Sequence, residues 1–416
     1  MNRTGKEGMA LVMVLCLTML VGGALAILAS MASAAARRSR DMVRNEQAFC
    51  VAEAAIELAV QHIADTPSDV PVTLTGALGE GRYSVDIEAG PPENGYPTYR
   101  VHSTGMVGRL TRRVRITGVK QSSWAKYALW YNRESVQLWI VGGEEFNGPV
   151  HANTNLWFHS YNVASLGQAH FYDSVSTTKS NYSRYDETVH PRFDQGIALN
   201  AKTQTTQSVD FNQLETIASL VVTGATSITL AGTNMVISNA RRGWTNRTVG
   251  IASNGSVYVK NATTGTIRTN GVNLGGASGM SGRLTIISES DISITNHLRY
   301  RSNPETNAAS KDTLGLVAMT NIVVQTTAPD DLEIYAHLIA AKGGFGVASY
   351  SDAKLGDRGD LKVYGGIVNQ IRQPVGTTGG TGYRKKYLYD PRFRAESPPG
   401  YPVLPATYEW HSWEEE

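Results

Sequence analysis

Cysteine is almost absent: Cys16 and Cys50 are the only two in 416 residues. On one helix they would lie roughly 51 Å apart, at 1.5 Å of rise per residue, far beyond disulfide reach. A disulfide framework is therefore excluded, and burial and hydrogen bonding must hold the fold. Charge is also scarce, at 18% of residues against about 25% in an average globular chain. That excludes a solvated disordered polymer and a highly charged coiled coil. Neither sign dominates: 38 basic against 36 acidic residues leave a formal charge of +2. With no strongly basic field, nucleic acid is not expected as a partner. No Gly-x-Ser-x-Gly elbow, phosphate-binding Walker loop or dinucleotide fingerprint occurs. Glycine, by contrast, is abundant at 41 residues, and 19 tyrosines accompany many Thr, Ser and Asn. This is the usage of β-rich, turn-rich extracytoplasmic proteins.

One long uncharged run exists. Met9 to Ala36 is 28 residues without a charge, roughly 42 Å as a helix, more than the ~30 Å hydrocarbon core of a bilayer. It is too long for the apolar core of a secretory signal, so a membrane helix is expected. The helical pattern continues: Met42, Phe49, Ala52, Ile56, Ala59, Val60 and Ile63 fall on one stripe, with Arg44, Glu46, Glu53 and Glu57 on other faces. Pro67 ends it within Asp65–Asp69. The expected helix thus covers 9–65, half in lipid and half amphipathic.

Gly5-Lys-Glu-Gly8 before Met9-Ala-Leu-Val-Met-Val, and then Gln47-Ala-Phe-Cys-Val-Ala-Glu-Ala-Ala55, resemble the amino-terminal domain of PilX-type minor type IV pilins. The resemblance implies a prepilin-like leader at 1–8, cleavage after Gly8, and Met9 as the mature terminus. It also implies assembly through the helix, with Phe49, Ile56, Val60 and Ile63 facing neighbouring subunits or the head. Met13 departs from the pattern, because most pilins carry a Glu five residues into the mature chain. That favours a minor over a filament-forming role. The segments 146–153, 282–288, 328–334, 365–370, 382–392 and 398–402 resemble an uncharacterised β-rich domain that follows such helices in bacterial membrane proteins. That domain has no assigned activity. Orientation is opposed by arginine counts: Arg3 and Lys6 precede the run, whereas Arg37, Arg38, Arg40 and Arg44 follow it. The resemblance places the head outside the inner membrane, or on the pilus or cell surface after assembly.

Residues 66–120 are expected to form a small antiparallel unit. Tyr83, Val85 and Ile87 alternate with polar residues, as do Tyr99, Val101 and Ser103, with a turn at 105–108 and a return through Val114 and Ile116. Arg109, Arg112, Arg113 and Arg115 read as an exposed strand face, or as a phosphate or lipid-headgroup patch. Beyond residue 121 there is an internal repeat: 249–259, 284–294 and 314–324 each show apolar-x-apolar, a polar turn, and apolar-x-apolar again. Leu332–Ile334 and Leu361–Val363 look like partial copies. The repeat predicts stacked coils of a parallel β-solenoid over 121–390, with Ile251, Ile286 and Leu316 as equivalent inward positions and Thr285 and Gly315 pointing outward. A β-sandwich is the alternative. Asn254, Gly255, Asp291 and Asn321 mark turns that tolerate left-handed backbone. A Pro- and aromatic-rich tail follows at 391–416.

For chemistry, His151, His159 and His170 lack the spacing of zinc motifs, and neither a metal nor another cofactor is expected. Asp330, Asp331 and Glu333 would be the acid and base of a membrane-tethered polysaccharide-active enzyme, but they fit a turn equally well. No catalytic residues are assigned. Residues 160–193 read as a long polar loop whose Tyr161, Tyr172, Tyr182 and Tyr185 suit contact with a glycan or partner protein. The reading is a mainly β protein with one long N-terminal transmembrane helix, a non-enzymatic, minor-pilin-like component of a type IV pilus or related secretion filament. Its expected partners are membrane lipid, other pilins, the assembly machinery, and a surface glycan or protein. A stand-alone surface adhesin is a further alternative.

Overall fold

Residue usage divides the chain into a long apolar helix and a mostly β body with antiparallel and mixed sheets. The computed structural model describes residues 4–204, 209–252, 255–261 and 272–416. Two compact units result: residues 1–91, 97–120 and 406–416 form the first, and residues 92–96 and 121–405 the second.

The first unit is organised on α1 (Thr4–Asp65). Among the described residues it is the one helix long and apolar enough to cross a membrane, by length and composition. Every described side chain from Met9 to Arg40 is exposed. Burial begins at Ala48, later than the stripe predicted: Met42 is exposed, whereas Ala48, Ala52, Ala55, Ile56, Ala59 and Ile63 are buried. They pack on an antiparallel meander of β1 (Val72–Leu78), β2 (Gly81–Ala89), β3 (Tyr99–Val107) and β4 (Leu110–Ser123). The inward residues of the meander are Val85, Ile87, Val101, Val114 and Ile116. Four alanines on the helix let β3 approach closely, and Ser103 Oγ donates to the Ala52 carbonyl at 2.7 Å. Gly105 is required there, since a Cβ would lie 2.1 Å from the Ala48 carbonyl oxygen.

Of the four helix residues expected to face neighbouring subunits or the head, all pack toward this unit's own core. Ile56 and Ile63 are core residues of this unit, and Phe49 and Val60 are partly buried against the same core. The C-terminal tail is also strand: Ser412–Glu415 pairs antiparallel with β4, which sets Glu414 against Arg115 and Glu415 against Arg112.

In the second unit, parallel strands repeat one register. Leu220, Val257, Ile286, Leu316, Leu338, Ile367, Leu129, Val150, Val175 and Ile197 are successive partners in a single row. At about 4.8 Å per strand the row is roughly 43 Å long. A second row runs Ile228, Leu274, Ile294, Val324, Val347, and a third Leu298, Ile334, Val363, Tyr387. These rows meet in one apolar core. Stack order is not chain order: after Ile197 the chain passes to the far end of the first row and begins again at Leu220.

Three sequence expectations change here. The copy at 249–259 is displaced, because Val257, not Ile251, partners Ile286. Trp244–Gly250 instead forms an antiparallel sheet with Asn234–Asn239 and Thr226–Ala231. Residues 160–193 are not one loop, since Val175–Thr177 joins the long row and His170–Phe171, Ser183–Arg184 and Arg192–Phe193 pair in parallel with other short strands. Asn254 lies outside the described residues. Asp291 and Asn321 serve their turns through side-chain bonds: Asp291 Oδ1 accepts from the Asn321 backbone at 2.8 Å, and Asn321 Oδ1 accepts from the Gly344 backbone at 3.1 Å.

Thr285 and Gly315 do not face solvent either. The outward row Tyr258, Ile287, Val317, Ile339, Val368 and Trp130 is covered by Phe393, Tyr401, Leu404 and Leu214. Thr285 Oγ1 donates to the Pro399 carbonyl at 2.6 Å. A Cβ on Gly315 would come within 2.5 Å of the Tyr401 ring. His337, fully buried beside it, donates through Nε2 to the Tyr127 carbonyl at 3.0 Å and accepts from the Tyr401 hydroxyl at Nδ1, 2.7 Å away. A carbonyl can only accept, which determines the tautomer. Burial without a counter-charge pushes this imidazole down to about 3.

Leu316→Ala should cost about 2–5 kcal/mol through the cavity left in the row, and Gly315→Ala about 1–3 kcal/mol by displacing Tyr401. Unchanged thermal unfolding of the detergent-solubilised full chain in either variant would contradict the assigned packing. His337 makes a signed pH prediction. The unfolded imidazole takes a proton near about 6.5, the folded one only near about 3. Stability should therefore be lost as pH falls from the first value toward the second. His337→Gln should flatten that part of the stability–pH curve while lowering the melting temperature at neutral pH.

Candidate functional site

After Leu129–Glu134 the chain leaves its strand at Ser135, and Val136–Glu144 form one wall of a cleft of about 590 Å³ in the second unit. The opposite wall comes from Asp357–Arg372 and Gly382–Tyr389, two parallel strands in register from Asp360 to Gly365. A strap at 375–382 closes back on itself, with Thr377 N bonded to the Thr381 carbonyl at 2.8 Å and Gly382 at φ +73°, where only glycine is unstrained.

Two ion pairs border the cleft, which Arg372, Lys385 and Glu144 line. Arg372 Nη1 meets Glu134 Oε1 at 3.0 Å, with both side chains under a tenth exposed, and donates also to the Leu138 carbonyl at 3.1 Å. Its guanidinium lies 5.2 Å from the Tyr131 ring centre. Burial pushes the Glu134 carboxyl up, against the pull of Arg372. Lys385 Nζ meets Glu144 Oε1 at 2.6 Å and donates to the Trp139 carbonyl at 3.0 Å. Burial pushes this ammonium down, with Glu144 opposing. At the rim, exposed Arg384 bridges Asp357 at 2.6 Å and Asp360 at 3.0 Å.

An aromatic group adjoins the cleft through Trp139. Its ring meets Trp157, His159 and Tyr185 edge-on at 5.9, 5.0 and 5.8 Å, and His159 stacks on Tyr185 at 3.9 Å. Register builds this group: Ile140 bridges Phe158 in parallel, and Phe158 partners Arg184, so their sequence neighbours fall side by side.

The four tyrosines singled out from sequence do not form one surface. Tyr161 lines the cleft and Tyr185 joins the Trp139 group. Tyr172 lies against His170, with its hydroxyl 3.2 Å from Glu145 Oε1. Tyr182 packs inward against Phe158 and Phe193. The histidines are separate too: His151 bonds Ser176 and Asn153, and His170 bonds Asp194. Among the described residues no group of three or more His, Cys, Asp or Glu is arranged to hold a metal. The three candidate carboxylates have different partners. Asp330 pairs with Arg358, Asp331 accepts from the Asp360 backbone, and Glu333 pairs with Arg299. Gly8 and Met9 lie in the opening turns of α1. Sequence reasoning missed Trp139, Asp357, Asp360, Arg384 and Lys385. Their separation along the chain carries no motif: parallel pairing sets Asp360 beside Arg384, and the Lys385 bond to the Trp139 carbonyl joins the opposite wall.

Arg372→Met should destabilise the chain by about 3–5 kcal/mol, since it strands the Glu134 carboxylate in the interior. Adding Glu134→Leu should recover much of that loss. A double variant no more stable than the single one in urea unfolding would mean that the ion pair is not the reason.

No protein-family model matches the sequence, and no curated protein matches it. Among solved structures, the competence-associated pilin ComZ from Thermus thermophilus is similar over 90% of this chain and 98% of that chain, at 12% identity and a TM-score of 0.33. A likeness of that size assigns neither a fold nor a role to this chain.

Proposed function

We propose that this chain is a membrane-anchored, minor-pilin-like component of a type IV pilus or related secretion filament. The observation that carries the reading is the division of labour along α1. Its uncharged half is exposed from Met9 onward, and the same helix then becomes the spine of an antiparallel sheet. A wholly exposed apolar helix of this length needs a bilayer or other apolar helices around it. The PilX-type leader and cleavage at Gly8–Met9 belong to this proposal, as do an inner-membrane location with the head outside and assembly with other pilins.

The second unit is read as a β-solenoid head. In-register parallel rows support coils over a sandwich, whose strands would pair antiparallel. We further propose that the head binds rather than catalyses. The carboxylates of the cleft are each matched to a cation, and Asp330, Asp331 and Glu333 are each engaged by a different partner. Trp139, Tyr161 and the Asp357–Arg384–Asp360 rim offer ring faces and hydrogen-bonding groups to a surface glycan or partner protein.

Amino-terminal sequencing of the full chain from membranes of a host with prepilin peptidase should begin at Met9, and Gly8→Arg should leave Met1 in place. Met1 in both would reject the pilin reading and leave the membrane helix standing. Trp139→Ala with Tyr161→Ser should abolish attachment without changing thermal stability by more than a few degrees. Full attachment in that variant would place the contact surface elsewhere.

A further inference from the structure

Four arginines follow the uncharged run within about two turns: Arg37, Arg38, Arg40 and Arg44, all exposed. A fifth joins them through the tertiary structure. Because Gly105 lies directly on the Ala48 carbonyl and Val107 packs with Ala48 and Val51, β3 runs along α1 toward this arginine segment. The turn to β4 follows at once, with Gly108 at φ +62°. It brings Arg109 Nη2 to 3.7 Å from Asp41 Oδ2 while leaving the Arg109 side chain 85% exposed. Asp41 lies five residues past Ala36, roughly 7.5 Å at helical rise. A bilayer of ~40–45 Å with a ~30 Å core has headgroup layers of about that depth. The carboxylates facing this end are Asp41, Glu46 and, from the β1–β2 turn, Glu80. Arg112 and Arg115 are paired with the C-terminal glutamates and stand apart from the group.

We propose that the β3–β4 turn and the arginines of α1 form one collar that docks on the headgroups of anionic phospholipids, with Arg109 exchanging Asp41 for a lipid phosphate. The proposal rests on the reading that α1 spans a membrane. An exposed Arg–Asp pair is weak and screened by salt, whereas a guanidinium fork on a phosphate makes two charge-assisted bonds. Arginines held at this depth favour a negatively charged surface. The collar would set both the depth of α1 and the rotation of the first unit about the helix axis, because the turn lies on one side of α1 only.

The test is hydrogen exchange of residues 106–112 in the full chain, reconstituted in nanodiscs of phosphatidylcholine alone or mixed with phosphatidylglycerol. Exchange should slow severalfold in the mixed discs and return to the phosphatidylcholine rate in about 0.5 M salt. Arg109→Gln should lose the difference and Arg109→Lys should keep part of it. Inorganic phosphate added to the detergent-solubilised chain should give no protection. Equal exchange in the two lipids overturns the collar, as does an undiminished difference in Arg109→Gln or equal protection by inorganic phosphate. A chain that enters neither disc overturns the membrane reading and the collar with it. A chain that enters both without lipid dependence overturns the collar alone.

Discussion

The second unit depends on stacking like residues in register. In a parallel pair each strand places residue i beside its counterpart at the same face, so an apolar position repeated in sequence becomes a continuous apolar row in space. Leu220 at one end and Ile197 at the other are only partly buried, whereas the eight residues between them are enclosed. The row is thus its own core, and each member is shielded from water by the rungs on either side. A slip of one residue in any rung would turn its inward side chain to the opposite face.

That arrangement has a second consequence. Strands such as Thr313–Ala318 and Leu332–Ala340 are buried almost throughout, so their outward residues also need cover. The C-terminal segment supplies it through Phe393, Tyr401 and Leu404, and the helix Phe211–Ile217 contributes Leu214. Small residues make the seating possible. Gly315 leaves space for the Tyr401 ring, and Gly366 leaves space for His337, whose Nε2 would lie 2.5 Å from a Cβ there. A neutral histidine between a carbonyl and a tyrosine hydroxyl is fully bonded, and so is compatible with complete burial.

In the first unit the limiting quantity is the distance between helix and sheet. Alanines at 48, 52, 55 and 59 bring β3 onto α1, and larger residues there would lift the strand and lose the Ser103 bond to the Ala52 carbonyl. The close approach also aims the β3–β4 turn along the helix, which is how residues 68 positions apart, Asp41 and Arg109, come to share one end of the unit. The cleft of the second unit has a similar origin. Its Arg372–Glu134 pair is buried because strands distant in sequence, Leu129–Glu134 and Asp357–Arg372, run side by side.

By itself the sequence determined the features whose signal is local. An uncharged run of 28 residues specifies an apolar helix, because helical burial or membrane insertion is the only way to satisfy its backbone without water. Alternation at Val85–Ile87 and Tyr99–Ser103 specified strands, and the offset between Leu284 and Leu314 matched the register in the folded chain, because both segments repeat with the same strand–turn–strand spacing. What only the tertiary structure decided is which repeated segments are neighbours. The 249–259 copy read out of phase, since the apolar alternation of Val249–Ile251 suits an antiparallel strand as well as a parallel rung. The short rungs within 160–193 carry two or three residues each, too few for a period to be visible. The order of the first row, with residues 129–197 stacked beyond residue 367, leaves no mark in a linear pattern, because any apolar rung can stack on any other. The Trp139 group and the cleft follow from that choice of neighbours, whereas helix–sheet packing in the first unit decides the approach of Arg109 to Asp41 and the burial of Ile56 and Ile63. Each depends on residues that register and packing bring together, and no spacing along the chain encodes them.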